Sequence, residues 1–177
     1  MNVDWVTDKP ARALVLILAV VGLAACAGTT TVESQPSFYR SLAEGGELDA
    51  TAASYMISGF RKNHGLGPVT VDPALTRLAE EQAQAMASRD KVDHSVAGEF
   101  TQRMRQGGLA RGAAVENVSA GYHTLAEAFS GWRDSPPHRA NMLLKGATRM
   151  GIAAVRAPNS KYKVFWALIL AGPDGRG

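Results

Sequence analysis

The chain has 177 residues, 46% hydrophobic and 20% charged, with a formal net charge of +3 and a single cysteine. So small a basic surplus, scattered along the chain, gives no argument for a nucleic-acid partner, and one cysteine excludes a disulfide framework. About 150 residues remain behind any leader, enough to bury one core.

Lys9 and Arg12 precede an unbroken apolar run over residues 13–25 that ends in small residues, the layout of a secretory signal. The run is shorter than the roughly 20 apolar residues that cross a bilayer. Leu23-Ala24-Ala25-Cys26 resembles the lipobox of bacterial lipoproteins. That resemblance implies a signal peptide over 1–25 and acylation of Cys26. It also implies a membrane-anchored protein on the outer face of the inner membrane or in the outer membrane, working in the periplasm or at the cell surface. The alternative is an ordinary signal peptide cut near Ala25 or Ala27, with Cys26 an incidental thiol. Residues 26–48 read as the anchor cysteine and a flexible tether, because Gly28-Thr29-Thr30-Thr31, Ser34-Gln35-Pro36-Ser37 and Gly45-Gly46 bury little. Phe38, Tyr39 and Leu42 soften the boundary with a domain over 49–177.

The domain opens with a predicted helix at about 49–64, with Met56, Phe60 and Asn63 on one side and Gly65 as its stop. Residues 67–72 form a turn and a brief extended piece. Asp72-Pro73 starts a second helix carrying an apolar stripe of Leu75, Leu78, Ala79, Gln82 and Met86. A loop over 91–95 leads to a short helix at 99–106, which Gly107-Gly108 ends. Residues 113–120 form a strand. Thr124 then caps a helix whose stripe is Leu125, Ala128, Phe129 and Trp132. Ser135-Pro136-Pro137-His138 begins another short helix, and two β-rich runs at 149–156 and 162–171 flank a turn at 157–160. This order predicts an α+β fold, a three-layer α-β-α sandwich with a mainly antiparallel central sheet.

Four residues stand out chemically. Glu116 lies in an apolar strand, where a carboxylate must be paired or face a cavity. His138 follows two prolines at a helix start, His94 sits in the loop after the second helix, and Glu127 lies off the apolar stripe of its helix. Their spacing matches no compact metal motif, and on spacing alone each reads as a satisfied polar residue.

Arg61-Lys62-Asn63-His64-Gly65-Leu66, Asp93-His94-Ser95, Glu116-Asn117, Glu127 ahead of Trp132, and the run from Ser135 to Leu143 together resemble the CAP superfamily. This is the SCP-like family of cysteine-rich secretory, antigen 5 and pathogenesis-related-1 proteins, here in a cysteine-poor bacterial form. The resemblance covers residues 51–171. It implies a central cleft formed by His94, Glu116, Glu127 and His138, with Asn117, Ser135 and Asn141 in support. Val115 before Glu116 and Pro137 before His138 depart from the glycines common there.

Such a cleft could hold a divalent cation, zinc above all, on its imidazoles, with the carboxylates raising the histidine pKa values. The resemblance favours an envelope module, expected as a monomer, that binds a lipid or another small hydrophobic ligand. Its apolar groove would be lined by residues such as Met56, Phe60 or Met104. A metal-dependent hydrolase or peptidase is the second reading, with no catalytic residues assigned, and an adhesion or scaffold domain the third.

Overall fold

The computed structural model describes Met1 and residues 35–109 and 112–173. The signal segment and Cys26 lie outside the described residues, Met1 apart. Among those described, the elements are α1 (Ala50–Lys62), β1 (Thr70–Val71), α2 (Pro73–Arg89), α3 (Phe100–Gln106), β2 (Ala114–Ala120), α4 (Leu125–Asp134), α5 (Pro136–Met142), β3 (Arg149–Ala157) and β4 (Lys163–Ala171). The sheet order is β1-β3-β4-β2; β1 runs parallel to β3, and the other pairs are antiparallel. No described helix is long and apolar enough to cross a membrane.

The three layers follow from how β4 alternates. Val164, Trp166, Leu168 and Leu170 pack with α1, α4 and Met142 of α5. Phe165, Ala167, Ile169 and Ala171 pack with α2 and Met104 of α3. Every residue of β4 after Lys163 is buried, the pattern of a strand covered on both faces. Trp132, Phe165 and Trp166 are core residues, each at most 1% exposed.

Local signals fix the helix ends. The Asp49 carboxylate accepts from the Ala52 amide, and that of Asp72 from Ala74 and Leu75, so both act as N-caps. Asp72 is further tied to Arg149 at 2.9 Å. Asp90 closes α2 in the left-handed region at φ 49°.

Two expectations shift. Part of the expected tether belongs to the domain: Leu42 is buried, its amide donates to the His123 carbonyl, and Ser37 donates to Asp49. Its isolated apolar side chains are what dock it. The buried face of α1 is also rotated by one residue. It consists of Ala53, Ile57 and Arg61, while Met56 and Phe60 are only partly buried beside it and Asn63 is exposed.

Arg61 explains that rotation. Its guanidinium is 1% exposed and donates to the carbonyls of Gly67, Met142, Leu144 and Ala147, each at 2.9 Å. Among the described residues no carboxylate pairs with it. Burial draws its pKa below the usual guanidinium value, and the carbonyls at the end of α5 supply the compensating negative potential. This one side chain ties α1 to the end of α5, the helix that carries His138 in its first turn.

Candidate functional site

Strand β2 lies at an edge of the sheet, and its alternation distributes the polar residues. Glu116 points to the α2/α3 face with Val118, whereas Asn117 and Ser119 point to the α4/α5 face. Glu116 is 5% exposed and Asn117 1%. The buried carboxylate is paired, as its surroundings require: Arg103 of α3 donates to its Oε1 at 2.7 Å. The other oxygen, Oε2, lies 3.0 Å from Nδ1 of His94, whose ring is 57% exposed.

Asn117 and Asn141 stitch α5 along the same strand. Asn117 donates to the His138 carbonyl at 3.0 Å, while Asn141 donates to the Glu116 carbonyl at 3.0 Å and to Asn117 Oδ1 at 2.8 Å. An edge strand leaves backbone acceptors unpaired, and Asn141 covers one of them. Ser135 joins α4 to α5 through its backbone, accepting from Arg139 and donating to Gly131. His94, Glu116 and His138 thus converge around β2 from the two faces of the sheet.

Glu127 does not join them. Its carboxylate accepts from the amides of His123 at 2.6 Å and Thr124 at 3.2 Å, and Thr124 Oγ1 accepts from the Glu127 amide, which completes a capping box. Glu127 is exposed at the start of α4, and roughly 12 Å of helix separates it from Ser135. The Thr-x-x-Glu spacing was a legible signal for this role. Among the described residues, no group of three or more histidines, cysteines, aspartates or glutamates could hold a metal ion. The donor set does not fit the expected cation: one carboxylate belongs to a helix cap, and both oxygens of the other are engaged.

The histidine electrostatics also differ from expectation. His138 has its pKa lowered below 6.5, first by burial and then by the charge of His94. The unfolded chain therefore takes up this proton first as pH falls, so the stability His138 contributes is present above about pH 6.5 and lost below it. His138→Gln should flatten the acid decline of the urea midpoint below that pH. A slope equal to the wild type would contradict the assignment.

Beside this cleft lies a cavity of about 240 Å³ between α3 and the start of β2. Phe100, Met104, Leu109 and Ala114 form its apolar walls, and Thr101 and Arg105 its polar ones. Of the three residues expected to line a groove, only Met104 borders this cavity. Phe60 instead meets Phe129 edge-on at 5.7 Å. A second hollow of about 300 Å³ lies between the end of α2 and the β3–β4 turn, where Asp90 accepts a hydrogen bond from Ser160.

The model of the CAP family, the cysteine-rich secretory protein family, matches residues 55–170. The chain belongs to this family. Its CAP domain is 29% identical over 99 residues to YkwD, an uncharacterized protein of Bacillus subtilis (strain 168), covering 55% of this chain and 38% of that one. The fold matches an extracellular SCP-domain protein of Bacillus anthracis with a TM-score of 0.60 at 21% identity, over 70% of this chain and 40% of the other. It also matches an outer surface protein of Borrelia burgdorferi with a TM-score of 0.61 at 16% identity, over 71% and 96%. The chain spans about two fifths of the length of the two Bacillus relatives. These likenesses agree with the α-β-α sandwich expected for a CAP domain.

Proposed function

We propose that this CAP domain is an exported module of the bacterial envelope, anchored through Cys26, that binds a small apolar ligand in the cavity beside α3. The observation that carries this reading is the cavity itself. Its volume of about 240 Å³ exceeds the ~150 Å³ that admits benzene and lies just under the ~300 Å³ at which drug-sized pockets begin. A ligand of that size is a small apolar molecule or the end of a longer chain, stabilised by about 0.8 kcal/mol per buried methylene. Export is supported by the signal-like leader and by the extracellular and outer-surface relatives. A hydrolase is less well supported, because Glu116 is committed to Arg103 and Glu127 to its cap.

Mass spectrometry of protein recovered from native envelope tests the proposal. An apolar species should accompany the wild type and be absent from Ala114→Phe, which fills the cavity. No such species with the wild type, or equal amounts with both, would overturn it.

A further inference from the structure

One guanidinium governs the exposed imidazole of the cleft. Arg103 Nη2 donates both to Glu116 Oε1 at 2.7 Å and to the His94 carbonyl at 3.3 Å, while its Nε donates to the Gly98 carbonyl at 3.0 Å. Phe100 lies under the guanidinium, 5.4 Å from it. The same group therefore fixes the carboxylate and the backbone of the residue whose ring that carboxylate meets. The pair is buried, with side chains 3% and 1% exposed, while the imidazole stands largely in solvent.

This arrangement is a poor way to gain stability. Buried ion pairs rarely outperform apolar packing, and Arg103 Nη1 is buried with no hydrogen-bond partner among the described residues. What the pair does supply is direction. A carboxylate facing a guanidinium acts as an acceptor only, so the hydrogen between Oε2 and Nδ1 belongs to the ring of His94. The other ring nitrogen, Nε2, then carries the lone pair, on a ring that is 57% exposed.

We propose that Arg103 is the positioning residue of the cleft, orienting Glu116 and through it locking His94 in the Nδ1–H tautomer, so that Nε2 is a fixed acceptor for a hydrogen-bond donor on whatever enters. This inference does not depend on the cavity beside α3. Neutral imidazole without such a partner favours Nε2–H, so the tautomer separates positioning from a merely structural ion pair.

Long-range nitrogen–proton NMR spectra of the imidazoles, recorded above their titration range, provide the test. Wild-type His94 should show Nδ1–H. Arg103→Met should reverse it to Nε2–H. Glu116→Gln should do the same, because Arg103 keeps the amide oxygen and turns the amide NH₂ toward Nδ1. His64, whose Nδ1 lies 2.9 Å from the Phe60 carbonyl, should keep its own tautomer in every variant and serve as the internal control. Nε2–H on wild-type His94 would overturn the proposal, as would Nδ1–H retained in Glu116→Gln or in folded Arg103→Met. Should Arg103→Met fail to fold, the wild type and the isosteric Glu116→Gln still decide.

Discussion

Replacing Arg61 by methionine should cost about 3–5 kcal/mol, among the largest losses available to a single substitution here. Methionine fills much of the same volume but leaves the carbonyls of Gly67, Met142 and Ala147 without the donor Arg61 supplies, while that of Leu144 keeps only the Ala147 amide. Buried acceptors stripped of a partner cost roughly 1–3 kcal/mol each before relaxation. For a domain of this size the melting temperature should fall by roughly 10 °C. Arg61→Lys should recover little, since an ammonium lacks the planar fork that reaches Gly67 on one side and Ala147 on the other. Thermal and urea unfolding of the three proteins measure this. A loss under about 1 kcal/mol in Arg61→Met would show that the hub is dispensable.

The second large effect is expected at Gly151, where local and tertiary reasoning disagree in sign. Alanine is favoured over glycine inside a strand by about 0.5–1 kcal/mol, so propensity predicts that Gly151→Ala stabilises β3. Packing predicts the reverse. A Cβ at Gly151 would overlap the Leu75 carbonyl group and the Thr76 nitrogen, which are backbone atoms of α2 and cannot rotate away. Helix α2 would have to lift from the sheet, loosening the core that Leu75, Leu78 and Ala79 form with Phe165 and Ile169. The expected net loss is about 3 kcal/mol, at the upper end for overpacking. Equilibrium unfolding decides between the two signs, and a stabilised Gly151→Ala would contradict the close approach of α2 to β3.

These two residues also show where sequence reasoning reaches its limit. The extent of β3 was legible from its apolar run, but the reason for a glycine within it was not, because the atoms it avoids belong to Leu75 and Thr76, far away in sequence on α2. The first helix was legible too, yet its buried face was not. Arginine is ordinarily read as solvated, so Arg61 concealed the Ala53–Ile57–Arg61 line and moved attention to Met56 and Phe60. In α2, whose buried polar residue Gln82 sits amid leucines and alanines, the stripe was legible except for Ala83, which is buried beside Gln82.

The cleft divides along similar lines. The demand that Glu116 be paired followed from placing a carboxylate in an apolar strand. Its partner did not, since Arg103 is one of two arginines in a seven-residue helix and only the fold selects it. Assigning Glu127 by its distance from Trp132 overlooked a stronger local signal, the Thr124-to-Glu127 spacing that builds a capping box. Short-range rules govern helix ends, so the carboxylate was committed there before any cleft could use it.

The claim that most needs a direct measurement is the ligand cavity beside α3. Methyl NMR of protein carrying labelled methionines, titrated with n-octanol as an apolar probe, addresses it residue by residue. Met104, which lines the cavity, should shift and saturate, while Met56, packed beside the α1/α4 core, should stay in place. An unmoved Met104, or a shift at Met56 in its stead, would contradict the account.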